Sequence, residues 1–167
     1  MLTDYENDIV RNVAEHGWFC VCVGTPESEP SDKPSFAYSV GFWETLQKPE
    51  LIVFGLPFKL MHSMLWQAFR QLKTGTAQMT DGERWSNLID GFDCISRPVH
   101  QSQIRRETFN SALWYRRHQA EGSNELNAFQ LFWPGKTNGR FPWESESSEF
   151  VRELQPQLYL PRSVGIA

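Results

Sequence analysis

Hydrophobic positions along the chain change period several times, and each change marks an element. Ile9, Val10 and Val13 form a helical stripe behind Thr3-Asp4-Tyr5-Glu6, a capping-box sequence in which the Thr hydroxyl and Glu carboxylate satisfy free helix amides. Gly17 is a natural stop, so the pattern predicts a helix over residues 4–16. WFCVCV (18–23) is apolar throughout, which predicts a central strand covered on both faces. TPESEPSDKP (25–34) has no period and predicts a surface loop. SFAYSVGF (35–42) and ELIVFG (50–55) predict the next strands, with ETLQKP between them short enough for an antiparallel connection.

Leu60, Met61, Met64, Leu65, Ala68 and Phe69 recur at helical spacing, predicting an amphipathic helix over 58–72 whose Met-rich stripe packs on the sheet. Asp81-Gly82 and Asp90-Gly91 predict turns, FDCISRP (92–98) a strand closed by proline, and 101–120 a third helix. Asn138-Gly139 lies between aromatic runs and predicts a hairpin, because both residues tolerate positive φ. In that hairpin Phe129, Leu131 and Trp133 share one face and Gln130 and Phe132 the other, with Pro134 and Pro142 limiting pairing as on an edge. A short helix over 147–154 follows, broken by Pro156. No repeat or linker interrupts this order. The expectation is one α+β domain over 1–167, a mainly antiparallel twisted sheet or partly open barrel with about three flanking helices. Residues 144–167 would be a C-terminal extension packing on it.

With 167 residues, the chain is long enough to bury about two-thirds of its unfolded surface. The 7 Trp are the unusual feature of its composition, able to carry a core or to mark a recognition surface. A net charge of -4 argues against a partner such as extended nucleic acid. The start MLTDYENDIV lacks a secretory pattern and no stretch approaches a membrane span, so a cytoplasmic address is expected. Cys20, Cys22 and Cys94 are an odd count without zinc-ribbon spacing, which predicts reduced, buried thiols.

Chemistry is sparsely written. His16, His62, His100 and His118 stand singly, so no metal site is expected. No nucleophile elbow, P-loop or dinucleotide fingerprint occurs, and the cofactor is unknown from the sequence. Arg105-Arg106 and Arg116-Arg117 lie eleven residues apart, almost three helical turns, placing Arg105 with Arg116 and Arg106 with Arg117. Beside Trp114 and Tyr115 such a ladder suits an oxyanion or a partner's acidic strip. The plain alternative is a solvated face paired with acidic residues.

HGW (16–18), FAYSVGF (36–42), PELIVFGLP (49–57) and FQLFWPGKTNGRFPW (129–143), taken together and in this order, resemble a bacterial family known as domain of unknown function 4262. His16, Trp18, Tyr38, Gly41, Gln130, Trp133, Pro142 and Trp143 match its pattern, whereas Gly135 stands where relatives usually carry an acid. The resemblance implies no established reaction. The leading expectation is a cytoplasmic binding domain that recognises a protein partner, including as an immunity or antitoxin-like neutraliser, or a small ligand. Its surface would lie near the hairpin, at Gln130, Trp133 and Trp143, supplemented by Arg105 and Arg116. The alternative is a small-molecule enzyme or ligand sensor in which His16, Tyr38 and Gln130 converge on a pocket.

Overall fold

The first helix, α1 (Asp4–His16), begins as its capping box dictates: Thr3 Oγ1 accepts from the Glu6 amide and the Glu6 carboxylate from the Thr3 amide. In the computed structural model, which describes residues 1–24, 33–120 and 125–163, α1 leads into a six-stranded sheet. Its strands are β1 (Phe19–Val23), β2 (Phe36–Val40), β3 (Glu50–Phe54), β4 (Arg84–Ile89), β5 (Phe92–Pro98) and β6 (Ala128–Phe132). They lie in the order β1-β2-β3-β6-β5-β4, antiparallel except for the parallel pair β3 and β6. The sheet is open, ending at β1 and β4. The α+β expectation holds in its sheet form rather than its barrel form.

Each face of the sheet has its own core. The helix α3 (Phe58–Thr74) lays Met61, Met64, Leu65, Ala68 and Phe69 on Leu51, Val53, Leu131 and Trp85 of one face. On the other face α1 and α4 (Arg106–Gln119) bring Ile9, Val13, Phe109 and Ala112 against Val21, Tyr38, Ile52 and Ala128. Each fully buried aliphatic or aromatic side chain contributes about 1.5–3 kcal/mol relative to exposure. Among the described residues no helix is long and apolar enough to cross a membrane.

Four expectations need correction. WFCVCV is not central: β1 is an edge strand in which Cys22 and Val23 are exposed, and Trp18 enters the core from just before it. The Asn138-Gly139 hairpin has no return strand. β6 lies mid-sheet with β3 and β5 on its two edges, and Gly135 and Arg140 close only a small loop through a 2.9 Å backbone bond. A strand not anticipated, β4, pairs with β5 across Asp90-Gly91. The third helix divides into a single 3-10 turn (Gln101–Gln103) and α4, leaving Arg105 extended at the N-cap with φ -145°. The predicted 25–34 loop lies outside the described residues over 25–32.

Between β2 and β3 runs a short helix, α2 (Phe42–Leu46), held by a buried carboxyl group. Gly41 precedes it with φ +102°, and a Cβ there would meet Val13 Cγ2 of α1 at 2.9 Å, so only glycine fits. Glu50, 3% exposed at the head of β3, receives Ser39 Oγ at 2.7 Å, the Phe42 amide at 3.1 Å and the Gly41 amide at 3.2 Å. Burial pushes this carboxyl up to about 8, the Ser39 hydrogen bond opposes the rise, and the neighbouring Glu44 charge adds to it.

The chain beyond α5 (Glu149–Leu154) is tied to β6 by two glutamines. Gln130 donates to the Pro156 carbonyl at 2.7 Å and accepts from the Leu158 amide at 3.1 Å. Gln155 accepts from the Trp133 amide at 2.9 Å and donates to its carbonyl at 2.8 Å, replacing a strand neighbour.

Two expected outcomes follow from these anchors. Because the folded state raises the Glu50 pKa from 4.5 to about 8, folding takes up a proton in that window, and this group's stability contribution falls as pH rises through it. Glu50→Gln turns an amide NH2 towards backbone donors and should cost about 1–3 kcal/mol near pH 5.5. In urea denaturation the gap between wild type and variant should narrow by pH 8.5; a widening gap would show that the amide donors outweigh burial. Gln130→Ala strands one carbonyl and one amide, so it should cost about 2–4 kcal/mol in the same assay and expose residues 155–160 to limited proteolysis.

Candidate functional site

Four residues of α4, Arg106, Asn110, Trp114 and Arg117, are spaced four, four and three apart and therefore form one stripe of the helix. Together with Tyr5, Glu6 and Ile9 of α1 and Ser111, they line a cleft of about 210 Å³ between the two helices. Its floor is polar and ordered. Tyr5 and Ser111 share a hydroxyl hydrogen bond of 2.9 Å, and the Ser111 amide donates to Tyr38 Oη at 3.0 Å. Desolvation raises the Tyr38 pKa above the ordinary phenol value, so it stays a neutral phenol under the cleft.

The two arginines at the ends of the stripe are exposed, and neither has an ion-pair partner among the described residues. Glu6, the one carboxylate in the lining, is occupied by the capping box. Trp114 is half-buried and stacks on His118 with ring centres 5.0 Å apart. The cleft thus offers two guanidinium groups, an amide, hydroxyls and an indole. That donor-rich set suits a carboxylate or a phosphate.

The other arginine pair behaves differently. Arg116 faces Glu44 of α2 at 3.5 Å, donates to the Glu125 carbonyl at 3.2 Å and lies 5.7 Å from the Trp43 ring centre. Its charge is taken within the fold, beside a smaller cleft of about 90 Å³. Arg105 stands half-exposed at the N-cap, outside the helix on which the ladder was predicted. Arg105 and Arg116 therefore do not make a clamp, whereas Arg106 and Arg117, the second pair of the same ladder, line one cleft.

The remaining predicted residues occupy separate places. His16 is exposed at the end of α1, with its ring 6.3 Å from that of Trp66. Tyr38 and Gln130 share a sheet face, but Ile52 stands between them in the strand register. Both amide ends of Gln130 serve the C-terminal segment. Trp133 is buried, with Nε1 donating to the Phe54 carbonyl at 2.7 Å. Trp143 stacks on Phe141 at 5.2 Å and meets Phe132 edge-on at 5.0 Å, under the Arg97 guanidinium. The aromatic run is turned inward rather than displayed.

Sequence reasoning passed over Glu50, whose signal was a lone acid opening an otherwise apolar ELIVF strand. It also passed over Asn110 and Tyr5, visible only once α1 and α4 are packed together.

No curated protein and no solved structure gives a match to the chain. The profile described as Domain of unknown function (DUF4262) matches residues 12–148, a span from within α1 to the turn before α5, and the chain belongs to that family.

Proposed function

We propose that this domain is a binding module whose recognition site is the α1–α4 cleft, and that it takes a carboxylate or phosphate group of a protein partner or small ligand. The observation that carries this reading is the pair Arg106 and Arg117, both lining the cleft around Trp114 and neither neutralised by a described acidic residue. Exposed guanidinium forks can keep solvent around them when free and exchange it for a bidentate oxyanion on binding.

The cleft volume of about 210 Å³ favours a single charged group with an adjoining aliphatic stem over a whole drug-sized molecule. An acidic side chain projecting from a partner fits that description, and the neutraliser role is the case in which that side chain belongs to the partner's own working site. Three unpaired cysteines accord with a reducing, cytoplasmic setting. The alternative of an enzyme or sensor built on His16, Tyr38 and Gln130 has less support, since their side chains do not converge.

Titration of the protein with a hexaglutamate peptide and with inorganic phosphate, followed by Trp fluorescence at low salt, tests the proposal. Trp114 should report saturable binding to at least one probe. Combined Arg106→Ala and Arg117→Ala substitution should weaken it at least about tenfold, while Arg11→Ala, on an exposed turn of α1, leaves it unchanged. Equal affinity in wild type and the double variant would overturn the assignment.

A further inference from the structure

β1 carries two cysteines at positions i and i+2, and a strand of period two points both to one face. Their partners across the sheet are Ser39 and Ala37, and their sulfurs lie 4.0 Å apart. β1 is the outermost strand, Cys22 is exposed and Cys20 half-buried, so solvent reaches the pair. Phe58, Lys59 and His62 at the start of α3 complete a depression of about 340 Å³ around the two thiols. The α1–α4 cleft lies on the other face of the sheet, so this place is independent of the one assigned above.

We infer that Cys20 and Cys22 form a two-sulfur site for a soft, thiophilic monovalent cation of the cuprous type. The geometry favours an ion over a disulfide. A disulfide requires the sulfurs at about 2.0 Å, and residues i and i+2 of an extended strand keep their Cα atoms about 6.6 Å apart, near the upper limit for that bond. An ion at a metal–thiolate distance of about 2.3 Å fits between sulfurs 4.0 Å apart at a bent angle of about 120°. Side-chain rotation that opens the sulfurs to about 4.6 Å gives the linear arrangement of a two-coordinate cuprous ion without moving the strand. Among the described residues no three His, Cys, Asp or Glu side chains come together to hold a metal. Zinc, which takes four donors in structural sites, is therefore poorly served, whereas thiolate-rich, low-coordinate sites suit cuprous ion.

On binding, both sulfurs donate to one cation as thiolates, the thiol protons leave to solvent, and no oxidation state changes. The resulting single negative charge faces Lys59 across the depression.

The test is an anaerobic competition in which cuprous ion is offered in the presence of a chromophoric cuprous chelator. Wild-type protein should withdraw one equivalent, with a new ultraviolet thiolate-to-copper absorption. Cys20→Ser and Cys22→Ser, each verified as folded by circular dichroism, should weaken uptake at least about a hundredfold. N-ethylmaleimide treatment of the native protein, which reaches β1 but not the buried Cys94, should abolish it. Uptake that survives either serine variant or alkylation, no uptake by wild type, or formation of a Cys20–Cys22 disulfide under mild peroxide with no copper uptake by the reduced protein would each overturn the inference.

Discussion

The parallel pairing of β3 with β6 is the constraint on which the rest of the molecule depends. On one side of it stand β1, β2 and β3; on the other stand β6, β5 and β4. Without that ladder the sheet would fall into two three-stranded pieces, each at about the smallest size that holds together in water. The pairing aligns Leu51 with Phe129 and Val53 with Leu131 on the face beneath α3, and Ile52 with Gln130 on the face beneath α4. It also brings Asn127 to the Glu50 amide, at 2.9 Å, so the strand start that buries Glu50 is fixed by a contact from far along the chain. Such a parallel contact needs a long crossover and closes a large loop, so its formation is the costly step of assembly.

Elements governed by local rules were legible in the sequence. The capping box of α1, the Met stripe of α3 and the alternation of Phe129, Leu131 and Trp133 against Gln130 and Phe132 all appear in the fold. What failed depended on neighbours. An all-apolar WFCVCV resembles a buried central strand, yet among the described residues no strand pairs with its outer side, and its exposed end consists of a cysteine and a valine. Asn138-Gly139 does turn, with Gly139 at φ +67°. A hairpin nevertheless needs a free edge on the first strand, and both edges of β6 are already taken by β3 and β5. β4 escaped notice because Asn87, at φ +63°, breaks the alternation between Trp85 and Leu88 and shifts the register with β5.

The candidate site was half legible for the same reason. An eleven-residue interval between arginine pairs is a property of any α-helix, so the ladder could be read from the chain. Which pair remains available is decided elsewhere. Arg105 falls outside the helix because the chain breaks between the 3-10 turn and α4, and Arg116 meets Glu44 on a helix hidden inside a segment expected to be a plain connection. Glu50 shows the converse case: its acid is plain in the sequence, but its four potential backbone and hydroxyl donors gather only when α2 folds over β3.

The abundance of aromatic residues, which first suggested a recognition surface, has a structural explanation. A sheet covered on both faces must fill two cores, and Trp18, Trp85 and Trp133 on one side, with Tyr38, Phe109 and Tyr115 on the other, do so. Ring density therefore says little about binding in this fold. The informative groups are those the cores leave unused: guanidinium groups in the α1–α4 cleft with no ion-pair partner among the described residues, and two thiols on an edge strand, one of them exposed. Each lies against a different face of the sheet, so a change at one can leave the packing beneath the other intact. That separation follows from the open sheet, which lies between the two cores.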